Sequence, residues 1–198
     1  MLIPGLPETE LIGEHLCLSR VTEFDVQELF SCLDHDEVWQ HVPGRPSTAD
    51  AYWRILVDAT TVGRFPWVLR LQHDYAGLAK HSVVGTSSYL DVDLPNERCE
   101  IGFTSYTPAV WGTIVNPQAK LLLLGAAFGA GFNRVQLKTD ARNLRSQRAI
   151  AGIGAVHEGV LRRYQRRTDG SMRDTVMFSV LADEWPRVRS HLEQRAKL

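Results

Sequence analysis

This chain of 198 residues predicts a mixed α/β sheet. Three observations carry that prediction. Short segments of period-two apolar alternation recur along the chain, most clearly at residues 97–106 and 134–140. Three of the strands, at 66–71, 83–91 and 97–106, follow one another without a helix between them. A doubly wound parallel sheet needs a crossover after each strand, so that architecture is excluded. Finally, the helix containing Ala119-Lys120-Leu121-Leu122-Leu123-Leu124 is apolar on most sides, as expected when a helix packs on a sheet.

The elements follow in order. Leu16, Leu18 and Val21 predict a first strand, after which Thr22 caps a helix over 23–33. Residues 34–48 hold Pro43, Gly44 and Pro46 and read as a loop, and 49–61 form a second helix. Leu94-Pro95-Asn96 turns the second of the three consecutive strands into the third. In that third strand Cys99, Ile101 and Phe103 share one face, and Arg98, Glu100, Gly102 and Thr104 share the other. Asn116 is expected as the N-cap of the apolar helix with Pro117 at its first position, and Gly129 and Gly131 end it. A strand at 134–140 follows, then a helix capped by Asn143 and stopping at Gly154. A final strand pair covers 156–164 and 175–181, and a C-terminal helix starts at Asp183.

Composition narrows the function classes. The chain is 44% hydrophobic and 23% charged, with a net charge of -1, so it is no general electrostatic partner for nucleic acid. Its length fits one domain spanning 1–198. Cys17, Cys32 and Cys99 have neither metal-type spacing nor a disulfide framework, which favours a reducing, cytoplasmic setting. Residues 1–5 lack a basic region followed by an apolar run, so no signal peptide is expected. Gly125 and Gly129 interrupt the longest apolar stretch, which is too short to span a bilayer.

Chemistry concentrates where Glu100 leads, through a loop, into the apolar helix. The first turn of that helix points unpaired backbone N–H groups at the loop and makes an anion site. A carboxylate upstream of a phosphate cradle suits proton removal beside a phosphate-bearing ligand. The competing reading of Glu100 is a sheet carboxylate facing solvent, paired with Arg98 or a neighbouring strand.

Several segments occur in a telling order. They are Glu100-Ile101-Gly102, Val115-Asn116 with the run from Ala119 to Leu124, Lys138-Thr139-Asp140 with Asn143 and Ser146, Gly154-Ala155, the stretch from Glu158 to Arg162, and Asp174-Thr175-Val176 with Glu184-Trp185-Pro186. Together they make the chain resemble the GNAT superfamily of acyl-CoA-dependent N-acetyltransferases, and within it the RimJ/RimL-type branch. The resemblance covers essentially the whole chain. It implies a central, mostly antiparallel sheet flanked by helices. It also implies transfer of an acetyl or related acyl group from acetyl-CoA to a primary amine by direct attack. The acceptor would be a protein N-terminus or a small amine, no metal takes part, and a homodimer is common.

By that resemblance Glu100 is the base that accepts the proton of the amine. Ser146 donates to the departing thiolate, at a helix where many relatives use a tyrosine and this chain has Ile150. Asn143 contacts the pantetheine arm as well as capping its helix. Backbone groups of Thr104, Ser105 and Tyr106 line that arm, and one of their N–H groups stabilises the charge developing on the carbonyl oxygen. The CoA pyrophosphate falls to Trp111, Gly112, Thr113, Ile114, Val115 and Asn116. The usual pattern there, Gln/Arg-x-x-Gly-x-Gly/Ala, is replaced at its first, fourth and sixth positions. An acyl-CoA sensor or a non-catalytic interaction module on the same fold is the alternative.

Other features read more plainly. The arginines between 134 and 173 read as a solvated basic face, with two functional alternatives: Arg145 or Arg148 as a dock for the adenosine phosphates, or contact with ribosomal RNA or an acidic partner. Trp39 and Trp111 lie on expected loops and are candidate walls of an acceptor pocket. The histidines lack metal-binding spacing, and Gly152-Ile153-Gly154 ends a helix and is no dinucleotide fingerprint.

Overall fold

A short hairpin begins the fold: β1 (Glu10–Ile12) pairs antiparallel with β2 (Leu16–Arg20). The computed structural model describes Leu6 and residues 10–42, 44–167 and 169–197. The N-terminal residues 1–5 and Pro43, both read from sequence above, lie outside the described residues. After β2 come a single 3-10 turn at Glu23–Asp25 and then α1 (Val26–Leu33). The expected helix over 23–33 is therefore split, and Thr22 and Asp25 cap each other at its start. The expected loop contains one helical turn, α2 (Asp36–Trp39), and α3 (Ala49–Thr61) follows with Thr48 as its N-cap.

Next are β3 (Phe65–Leu71), β4 (Val83–Asp93) and β5 (Arg98–Tyr106), then α4 (Val115–Gly129), β6 (Arg134–Asp140) and α5 (Leu144–Gly152). The chain finishes with β7 (Val156–Arg166), β8 (Met172–Leu181) and α6 (Trp185–Arg195). The eight strands make one sheet in the order β1-β2-β3-β4-β5-β6-β8-β7. Among the described residues only β5 and β6 pair in parallel, because α4 carries the chain back across the sheet between them. The mixed, mostly antiparallel architecture expected from sequence is the one observed.

The sheet is covered unequally. On one face α4, α5 and α6 bury the larger core, which includes Trp67, Tyr89, Ile101, Leu123, Val180 and Leu192. The Tyr89 hydroxyl donates to the Leu123 carbonyl at 2.5 Å, satisfying its polar end inside that core. On the other face α1, α2 and α3 pack over Val68 and Val83. The remainder of that second face, over β6, β8 and β7, leaves Leu161 and Tyr164 exposed. An open groove of about 830 Å³ runs there between the β4–β5 turn and β7, with Asp93, Pro95, Gln136, Tyr164 and Met177 among its walls.

Candidate active site

Two β-bulges bracket Glu100. The first lies on β4. Leu90 pairs with Glu100 and Asp93 with Arg98, so Asp91 and Val92 together oppose Cys99. Asp91 takes the left-handed conformation (φ 49°), which an aspartate tolerates better than most side chains. The second bulge lies on β5. Thr86 pairs with Ser105 and Ser88 with Gly102, so Phe103 and Thr104 together oppose Ser87. Phe103 absorbs that one with φ 48°.

The first bulge brings charge to Glu100. Its carboxylate is only 2% exposed and meets the Lys138 ammonium from β6 at 2.7 Å. Lys138 also meets Asp91 at 3.1 Å and lies 5.5 Å from the Tyr164 ring centroid. The Gln136 side chain approaches Glu100 at 3.5 Å. Burial pushes the Glu100 carboxyl up to about 7, although Lys138 pulls in the opposite sense. Burial disfavours the Lys138 ammonium too, but its ion pairs with Glu100 and Asp91 outweigh that and hold its pKa up. Glu100 thus does not face solvent, while the pairing with a neighbouring strand that the sequence left open is the one observed. The partner strand supplies its cation, and Arg98 pairs with Asp93 instead.

The second bulge corrects the expected face of Thr104. One extra residue reverses the alternation, so Thr104 turns to the α4 side, away from Glu100, while Phe103 turns out beneath the Arg64 guanidinium. On the α4 side Thr104 accepts a hydrogen bond from Lys120 Nζ at 2.8 Å and shares another with Ser87. Two residues on, the Tyr106 hydroxyl donates to Asn116 Oδ1 at 3.2 Å. Two residues of strand and four of helix both rise about 6–7 Å, so these contacts form two matched rungs between β5 and α4. Lys120 is buried, and burial pushes its ammonium down to about 7.

Beyond Glu100 the two parallel strands part. Their pairing covers only Arg98 to Glu100 against Arg134 to Gln136. Ser105 still pairs with Thr86, and the Thr107 amide donates to the Val84 carbonyl. Alternation therefore turns the Tyr106 amide away from β4, into the gap that β6 has left. Glu100 and Lys138 sit at the mouth of this gap.

The gap leads to the turn before α4. Asn116 is not the N-cap expected from sequence. Ile114 already has helical dihedrals, α4 starts at Val115, and the Thr113 hydroxyl accepts from the Val115 amide. That shift frees the Asn116 side chain for Tyr106. Among the described residues, the amides of Gly112, Thr113, Ile114 and Asn116 donate to no protein acceptor. Gly112 adopts φ 74°, with open space where a Cβ would stand. Trp111 donates its indole N–H to the Tyr106 carbonyl, and the Arg145 guanidinium stacks 3.7 Å from the indole centroid.

On the far side of the gap, β6 runs into α5. Asn143 caps α5 as expected, its side chain accepting from the Ser146 amide at 3.0 Å. The half-buried Ser146 hydroxyl has no protein partner among the described residues. Arg145 joins α5 to α2 by donating to the Glu37 carbonyl, whereas Arg148 turns back onto Leu144 of its own helix. Trp39 is a packing residue: its N–H donates to the Leu33 carbonyl and its ring meets Tyr52 edge-on. Sequence reasoning missed the roles of Lys138, Asp91 and Lys120. Strand alternation on β6 was a usable signal for Lys138, and a lone lysine in an apolar helix was one for Lys120. Asp91 had none, because its orientation comes from the bulge.

Residues 15–156 match the family described as the acetyltransferase (GNAT) domain. A protein of T. thermophilus whose crystal structure is named as an acetyltransferase is 34% identical, with a TM-score of 0.83 over 96% of this chain and 97% of that one. The uncharacterised N-acetyltransferase p20 of Bacillus licheniformis is 30% identical over 104 residues, 52% of this chain and 57% of that protein. The chain thus aligns with little more than half the length of that relative. Mycobacterium smegmatis RimJ, solved in complex with CoA-disulfide, shares the fold at 20% identity, with a TM-score of 0.78 over 98% of this chain and 97% of its own. With the domain matched across most of its length, this chain belongs to the GNAT acetyltransferase family, a family of acyltransferases.

Proposed function

We propose that this protein is a GNAT N-acetyltransferase of the RimJ/RimL type that transfers an acetyl group from acetyl-CoA to a primary amine. The observation that carries the reading is Glu100, a buried carboxylate poised near neutrality at the mouth of the β5–β6 gap. An amine attacks only when neutral, so a base titrating near the working pH suits the task. The donor set fits a CoA ester. Four unpaired amides at Gly112, Thr113, Ile114 and Asn116 provide dipoles for a pyrophosphate without the usual glycines. The Tyr106 amide faces the gap in which an acyl carbonyl would lie. Bound acetyl-CoA supplies the activated acyl group. Glu100 takes the proton of the amine, and the unpartnered Ser146 hydroxyl is the donor for the leaving sulfur. The RimJ complex with CoA-disulfide supports the choice of ligand by analogy of fold.

The test is thiol release from acetyl-CoA across a panel of N-terminal peptides and small amines, alongside calorimetric binding. Turnover is expected with at least one amine, and Glu100→Gln should lower it on the order of 100-fold. Full activity in that variant would remove Glu100 from the role. Binding without turnover across the panel would favour a sensor.

A further inference from the structure

Lys138 presents its Nζ to Glu100 at 2.7 Å, where an acceptor amine would have to stand to lose its proton there. It projects from the part of β6 that has already diverged from β5, so it reaches back across the mouth of the gap. Asp91 steadies the ammonium at 3.1 Å, and the Tyr164 ring lies beside it. We propose that Lys138 is a self-acetylation site: in the absence of an acceptor, its Nζ takes the acetyl group from bound acetyl-CoA with Glu100 as the base.

The proposal rests on Glu100 being the base and on the β5–β6 gap being the donor site. The step balances. Two protons leave the ammonium. Glu100 takes the first, which frees the Nζ lone pair, and releases it to solvent. The Nζ–C bond then forms as the C–S bond breaks, and the second Nζ proton passes through Glu100 to the departing thiolate. The products are Nε-acetyl-lysine and CoA. The ion pairs that hold Lys138 protonated make its neutral fraction small at pH 7. Fixed placement offsets this, since well-oriented intramolecular reactions reach effective molarities of about 10⁵–10⁸ M. The reaction is therefore a slow single event per chain. It also has a consequence for the base. Acetylation removes the only cation within ion-pairing distance of Glu100 among the described residues, so the buried carboxyl rises further and holds its proton. An enzyme acetylated at Lys138 is thereby switched down.

The chain makes the test clean, because its lysines are Lys80, Lys120, Lys138 and Lys197. Lys80 and Lys197 are exposed and report uncatalysed acetylation, and Lys120 is buried. The full chain is incubated with acetyl-CoA and no amine, and peptide mass mapping follows each lysine while calorimetry measures donor binding. Lys138 is expected to fill toward one acetyl per chain ahead of Lys80 and Lys197. Glu100→Gln should slow Lys138 on the order of 100-fold and leave the two exposed lysines unchanged. Lys138→Arg should abolish the fast phase. If acetyl-CoA binds while Lys138 stays unmodified or lags behind the exposed lysines, self-acetylation is overturned and the donor site stands. An equal rate in Glu100→Gln would also overturn it. If acetyl-CoA does not bind, both the inference and the donor-site reading fall.

Discussion

Taking a carboxylate out of water costs several kcal/mol unless a partner compensates, and at Glu100 the partner compensates only in part. Lys138 keeps the ionised form accessible, while burial keeps the protonated form close in energy. Turnover should therefore rise tenfold per pH unit below about 7 and level off above it, as the base sheds its proton. A pH–rate profile checks this, and a flat profile from about pH 5 to 8 would contradict it. Gly102 makes room for the same carboxylate. A Cβ there would stand 2.6 Å from Glu100 Oε1 and 3.2 Å from Leu90. Gly102→Ala should push the carboxylate off Lys138 and lower kcat about tenfold or more, with little change in donor affinity. Kinetics together with calorimetry would separate the two effects.

At the scale of elements, the junction of β5 with α4 is held by polar rungs inside an otherwise apolar interface. Lys120 is the costly member, because its ammonium is desolvated and finds only a hydroxyl partner. Its folded pKa of about 7 lies below the ordinary 10.5. Between those values the unfolded chain binds more protons than the folded one, so stability falls as pH drops from about 10.5 to about 7. Lys120→Met should remove that slope and melt higher than the parent near pH 7, the difference closing toward about pH 10. Melting curves across that range measure it, and a parallel decline in both proteins would refute it. Element boundaries here were largely legible in the sequence. β6 and α3 matched residue for residue, because alternation and the loop residues that end before Ala49 are local signals. The start of α4 was not. Asn116 looks like a cap by type, but the Thr113 hydroxyl takes that role one turn earlier and Asn116 serves Tyr106.

For the whole molecule, stability rests on the sheet face covered by α4, α5 and α6. Leu123 is fully buried there, and its carbonyl also receives the Tyr89 hydroxyl. Leu123→Ala should cost about 3 kcal/mol through lost burial and a residual cavity, read as a lower denaturant midpoint at unchanged slope. The opposite face is thinly covered over β6, β8 and β7. This exposes a groove beside the candidate base.

By itself the sequence determined the order of the strands and helices from β2 onward apart from the single turn α2, the cap at Asn143, and the carboxylate in the third consecutive strand. Those properties depend on residues a few positions apart. Only the tertiary structure decided what surrounds that carboxylate. Asp91 and Lys138 reach Glu100 from different strands, through a bulge on one and the divergence of the other, and Thr104 changes face at a second bulge. Such irregularities shift register between segments distant in sequence, and no local pattern in the chain encodes where they fall.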